Sequence, residues 1–127
     1  IVRNNNCKFL SLQKGEGADQ LDHCSFKNVF VQCQSKVDSC WDFHENAAII
    51  HNCDLIITSD TAIAHLAGGM GKLTWLLLHY VPDWRWGLKE DSTFWYPSMK
   101  LFRQKERYNW QEVMERVSNQ LNTTKWK

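Results

Sequence analysis

Residues 54–78 constrain this chain more than any other stretch. They read Asp-Leu-Ile-Ile-Thr-Ser-Asp-Thr-Ala-Ile-Ala-His-Leu-Ala-Gly-Gly-Met-Gly-Lys-Leu-Thr-Trp-Leu-Leu-Leu. Two apolar runs, residues 55–57 and 73–78, have the short continuous form of strands buried on both faces. The segment between them, residues 62–67, consists mostly of good helix formers. Asp60 and Thr61 precede it as N-cap candidates, and Gly68, Gly69 and Gly71 follow where a helix end favours left-handed backbone. Strand, capped helix and strand in so short a space make one βαβ crossover, which requires the two strands to be parallel.

The junction at Ser59, Asp60, Thr61 and Ala62 is where such a unit binds. A strand end feeding a helix start leaves free backbone N–H groups and the positive end of the helix dipole in one crevice. Open α/β sheets take ligands there, anions above all. His65, four residues after Thr61, falls on the same helix face and within reach of a bound phosphate. A second reading of the same residues stays open: Asp60 and Thr61 cap the helix and His65 packs, as in most βαβ units.

The 127 residues fit one domain. Fifteen Lys and Arg against fourteen Asp and Glu leave a net charge of +1 and no basic stripe, so no nucleic-acid partner is expected. The longest apolar run, residues 73–78, is too short to span a membrane. The N-terminus lacks a signal-peptide pattern; residues 1–6 read as the tail of a helix followed by an Asn-rich turn. Five cysteines, an odd number without a CxxC pair, argue against a zinc site or a disulfide framework and for reduced thiols in a cytoplasmic protein. Cys33 and Cys53 are expected to pack as small hydrophobes. Seven tryptophans, most of them in the C-terminal half, imply an aromatic surface or mini-core there.

Before the central unit, residues 8–12 form the first strand candidate and run into Gln13-Lys14-Gly15-Glu16-Gly17. That loop either approaches phosphate with its backbone, Lys14 serving as a point charge, or is a solvated turn. Gln20 stands where a dinucleotide fingerprint needs its third glycine, so that motif is absent. Residues 18–28 read as polar with one helical turn, 29–32 as a short strand, 34–39 as a loop, and 42–52 as a helix opened by Asp42 and Glu45. Gly69-Met70-Gly71-Lys72 is not a P-loop: Leu66 and Leu73 occupy the glycine and hydroxyl positions, and the run precedes a strand. After the central unit, residues 79–87 form a loop whose Asp83, Trp84, Arg85 and Trp86 combine charge with flat aromatic surface, suited to a base or sugar or to covering the core. Residues 92–97 form a second aromatic loop and Met99–Arg103 a last strand. Residues 109–121 form the clearest helix, capped by Asn109, with Trp110, Val113, Met114, Val117 and Leu121 on its core face.

Taken in order, residues 54–68, Gly-Lys-x-x-Trp-Leu-Leu-Leu, Pro-Asp-Trp-Arg-Trp and Trp-Tyr-Pro-Ser-Met-x-Leu-Phe-Arg-Gln resemble the C-terminal domain of heptosyltransferase-like glycosyltransferases (glycosyltransferase family 9). The nearest likeness is to the glycosyltransferase-like domain of bacterial TPR-repeat proteins. Phe-Leu-Ser-Leu-Gln at 9–13 and Asp-Phe-x-Glu-x-Ala-Ala-x-Ile at 42–50 fit the same pattern, which runs from about residue 9 to 117.

The resemblance implies an α/β fold, a three-layer Rossmann-like parallel sheet flanked by helices, of the kind that forms the C-terminal domain of the GT-B architecture. It implies a single domain over residues 1–127, truncated at its N-terminus relative to the family. Ser59, Asp60, Thr61 and Ala62 would hold the diphosphate of a nucleotide sugar, with His65 beside it. Gln13 and Lys14 would sit at the opposite phosphate loop, and Asp83, Trp84 and Arg85 would border the sugar or nucleotide. A bare Asp60 carboxylate repels a diphosphate, so it should bind backbone or hydroxyl donors instead. No catalytic residue, metal or further cofactor is assigned, because the family's general base and acceptor domain belong to another half. Leu73 stands where the family usually has proline. The expected function is therefore a nucleotide-diphosphate-sugar-binding module, inactive alone, to which a partner chain could bring the acceptor domain. The alternative is a non-catalytic interaction module, a homodimer covering an exposed sheet edge. A nucleotide-binding protein outside this family comes third.

Overall fold

The computed structural model describes residues 7–40 and 42–126. The helix tail expected at residues 1–6 lies outside them. The chain divides into two compact units, Ile1–Asp42 and Phe43–Lys127.

The first unit holds two short helices, α1 (Gln20–His23) and α2 (Gln34–Ser39), and a 3-10 turn at Lys27–Val29. The strands expected at 8–12 and 29–32 shrink to a single parallel bridge between Phe9 and Phe30. Phe9 N–H donates to Val29 O and Val31 N–H to Phe9 O, and no longer ladder follows. Segment 34–39, expected as a loop, is helical. Val37 is buried beneath it, and Gln34 donates to the Asp38 carboxylate one turn on, a pairing that only a helix permits.

The second unit is α/β. It opens with α3 (Phe43–His51), followed by β1 (Ile56–Ser59), α4 (Ala62–Gly69), β2 (Thr74–Leu78), β3 (Met99–Arg103) and α5 (Trp110–Thr123). The strands form a small parallel sheet in the order β1-β2-β3, with Ile56 opposite Thr74 and Thr74 opposite Met99. This three-stranded sheet flanked by helices is compatible with a Rossmann-like fold. Among the described residues, no helix is long and apolar enough to cross a membrane.

Sequence alternation along the strands sorts the core onto two faces. Leu76, Leu78, Met99 and Leu101 point to the face covered by Ala64 of α4, Trp86 and Tyr96. Trp75 and Phe102 point to the other, where their rings meet at 5.3 Å and α5 packs with Val113, Val117 and Leu121. Full burial of side chains this size contributes about 1.5–3 kcal/mol each. β2 is central and buried along most of its length, whereas β1 buries only Ile56. The expectation that both apolar runs are two-sided thus holds for one strand. Leu73 stays outside the strand and exposed.

The α4 helix runs two residues past 67, so Gly68 and Gly69 lie inside it, and Gly71 takes the left-handed turn (φ 68°). α5 begins at its Asn109 cap, whose side chain accepts from Glu112 N–H at 3.2 Å. It runs to Thr123, where the Thr123 and Thr124 hydroxyls donate to carbonyls of the last turn. Met114 turns away from the core.

Candidate functional site

All three strands are parallel, so their C-terminal ends share one edge. That edge gathers the β1–α4 junction, the long β2–β3 connection and the turn before α5. Arg103, at the end of β3, secures the connection: its guanidinium donates to Trp86 O at 2.9 Å, Gly87 O at 3.0 Å and Glu90 O at 3.0 Å. Partial burial lowers its pKa from the usual arginine value. Farther along, the connection pairs with the outer edge of β3 through Ser92 and Lys100. In the sequence Arg103 reads only as the last residue of a strand, with no local signal of this role.

The connection lies against α4. Tyr96 sits on Gly68 so closely that a Cβ there would fall 2.5 Å from the ring. Its hydroxyl is 2.9 Å from His65 Nδ1. Trp86, buried, stacks on the His65 imidazole at 5.4 Å between centroids. His65 is thus held from two sides, with Nε2 turned toward Asp60 Oδ1 at 3.9 Å.

Asp60 is also 4.0 Å from Arg85, and Arg85 Nε is 3.1 Å from Asp83 Oδ1. Asp83 caps the 3-10 turn Trp84–Trp86 by accepting from Arg85 N–H. Of the residues singled out in the sequence, Asp60, His65, Asp83 and Arg85 therefore form one cluster. Asp60 faces the His65 imidazole and the Arg85 guanidinium, and among the described residues it takes none of the backbone or hydroxyl donors expected for it. Ser59, Thr61 and Ala62 are exposed beside the cluster, and Trp84 projects into solvent at 79 % exposure.

Thr61 occupies the N-cap position of α4 in extended conformation, yet its hydroxyl does not cap; it lies 3.2 Å from Thr58 Oγ1. Ala64 N–H bonds Thr61 O. Ala62 and Ile63 N–H find no acceptor among the described residues, leaving the start of the helix open to a ligand. The charge around it is mixed: two carboxylates face one guanidinium.

Gln13 and Lys14 belong to the first unit. The Lys14 ammonium donates to Cys40 O at the end of α2, and Gln13 donates to Lys14 O and Glu16 O, so both side chains are engaged locally. Among the described residues, two of the second unit's cavities are lined by none of the cluster's residues. One, of about 370 Å³, lies between β3 and α5. The other, of about 310 Å³, lies where β2 and β3 end. Cys7, Cys24, Cys33 and Cys53 form no disulfide, and Cys40 is buried. Among the described residues no group of three or more His, Cys, Asp or Glu side chains could hold a metal ion.

The geometry defines an α/β unit with a polar cluster at the C-terminal edge of its parallel sheet. Compared with protein-family models, curated proteins and solved structures, the chain gives no match.

Proposed function

We propose that the second unit is a nucleotide-diphosphate-sugar-binding module of the heptosyltransferase-like kind. The observation that carries this reading is the start of α4: uncapped N–H groups at Ala62 and Ile63 on the sheet's ligand edge, with His65 and Arg85 beside them. In this reading the amides bind the diphosphate, Arg85 exchanges Asp60 for a phosphate oxygen, and Trp84 offers a flat face to the base or sugar. Transfer to a hydroxyl also needs a general base and an acceptor site, which the proposal assigns to a second domain or a partner chain.

The test is unfolding with UDP, GDP, ADP and their sugars. A ligand at a hundredfold excess over its dissociation constant stabilises the fold by about 2.7 kcal/mol. Ala62→Pro sharpens the test. Proline is tolerated at the first helical position, and extended Thr61 suits the residue before it. The variant should stay folded, lose one phosphate-facing N–H and bind at least tenfold more weakly. Nucleotide binding unchanged in Ala62→Pro would overturn the assignment.

A second reading, a non-catalytic interaction module that self-associates, draws on a different observation. Val81, Trp84, Leu88 and Phe94 are all strongly exposed on the one β2–β3 connection, Phe94 at 82 %. Sedimentation equilibrium decides it. A dimer that Trp84→Ser with Phe94→Ser dissociates supports it, and a monomer at all concentrations rejects it.

A further inference from the structure

The cavity of about 310 Å³ where β2 and β3 end is lined by His79, Tyr80, Val81, Gln104, Arg107 and Tyr108. None of these residues belongs to the α4 cluster. Gln104 is the first residue after β3 and only 3 % exposed. Its backbone N–H extends the sheet by one bond, donating to Leu78 O at 2.9 Å. Its side-chain Oε1 accepts from Tyr80 N–H at 3.1 Å. Because a backbone N–H can only donate, that bond fixes the orientation of the amide. The NH2 group is then the remaining polar end, and Nε2 is buried without any acceptor. A buried donor left unsatisfied calls for a partner that the protein does not supply.

The rest of the lining indicates the partner's character. Arg107 lies over the Tyr80 ring, 5.9 Å from its centroid, and no ion pair among the described residues engages it. No acidic side chain lines the cavity. His79 is held edge-on against Trp110 at 5.1 Å. Tyr108, 86 % exposed, sits in left-handed backbone at φ 65°, a conformation uncommon for a bulky residue and concentrated at binding sites. An unpartnered guanidinium and an unsatisfied NH2 both seek acceptor oxygens, and two tyrosine rings offer flat apolar surface.

We propose that this cavity binds a small organic oxyanion, a phosphate monoester or carboxylate carried on a planar body. The Gln104 NH2 and the Arg107 guanidinium bind the oxygens, and Tyr80 and Tyr108 flank the ring. The experiment titrates the full chain with phenyl phosphate, benzoate and, as the neutral control, benzyl alcohol, while the Gln104 side-chain amide is followed by NMR. The expected result is a saturable shift of that resonance with at least one anion and none with benzyl alcohol. The preferred anion tells phosphate from carboxylate. Gln104→Glu keeps an acceptor for Tyr80 N–H but puts an oxygen where the donor was, and should weaken binding at least tenfold. Arg107→Gln, at an exposed position, should do the same. Ala62→Pro should leave it untouched, which separates this site from the nucleotide site. No saturable shift with either anion at millimolar concentration, or equal binding by Arg107→Gln, overturns the proposal.

Discussion

Gly68→Ala sets two effects of known sign against each other. Gly68 lies inside α4, and helix propensity alone predicts that alanine there stabilises by up to about 1 kcal/mol. The new Cβ would stand 2.5 Å from Tyr96 Cγ and 2.8 Å from both Cδ atoms. Carbon atoms pack best at about 3.5–4.0 Å, so helix and ring must separate by about 1 Å. These atoms belong to the base of the ring, not to a flexible end. The ring is tethered by its hydroxyl to His65 and packed near Trp86. Overpacking of this kind costs about 1–3 kcal/mol, so the net effect is a destabilisation of about 0–2 kcal/mol. Gly69→Ala, one residue on, meets nothing within 4 Å and should retain part of the propensity gain. In a Tyr96→Ala background the clash is gone and Gly68→Ala should stabilise, giving a coupling of about 1–3 kcal/mol between the two sites. Urea unfolding followed by tryptophan fluorescence measures all four corners of the cycle. In a domain this size each kcal/mol moves the melting temperature by about 4–8 °C. If Gly68→Ala stabilises the wild type as much as it stabilises Tyr96→Ala, the close approach of ring and helix is wrong.

Three further changes probe other parts of the unit. Arg103→Met removes the donors to Trp86, Gly87 and Glu90 carbonyls and should cost about 2 kcal/mol, with faster amide exchange across residues 86–90; unchanged exchange there would contradict the anchoring role. Asn109→Ala removes the α5 cap and should lower stability by about 1 kcal/mol in urea, against no change if the cap is idle. The Glu112 carboxyl is held below its ordinary value of 4.5 first by the hydrogen bond from Arg116, against the opposing effect of burial. Its contribution is therefore present above the unfolded value and is lost as pH falls through the lower folded one. For a pair this exposed it amounts to about 0.5 kcal/mol. Glu112→Gln should flatten the acid limb of stability below about pH 5, and an identical limb in the variant would refute the shift.

Sequence periodicity made the second unit legible where one physical cause dominated. β2, β3 and α5 each carry an apolar pattern that matches its burial, and the residues 109 cap and 71 turn follow from local chemistry alone. The first unit was less legible. Lys8-Phe9-Leu10-Ser11-Leu12 has strand composition, but a strand needs a ladder, and the chain supplies a single bridge. Segment 34–39 carries one apolar residue, Val37, too little to display a helical period. Within the candidate site, caps and spacing brought out the β1–α4 junction. The engagement of Asp60 by Arg85, of His65 by Trp86 and Tyr96, and of Gln104 by Tyr80 joins residues 20 or more apart, and no local pattern encodes such pairs.

Those distant pairs share a common cause in the β2–β3 connection. It leaves the sheet at the edge where β1 hands over to α4, and Arg103 binds three of its carbonyls. So anchored, it lays Trp86 and Tyr96 on the alanine and glycine face of α4, which only small residues allow. Asp83 then caps the 3-10 turn that carries Arg85 toward Asp60. The charge at the helix start is therefore set by packing some distance away. Loosening the connection at Arg103 should free Arg85 to leave the junction. In the proposed site, an anion held by the Ala62 and Ile63 amides alone would keep its affinity, and one that also relies on Arg85 would bind worse although no group that touches it has been altered. Arg103→Met thus separates a junction that binds by its amides alone from one that also needs Arg85 held in place: only the second loses affinity.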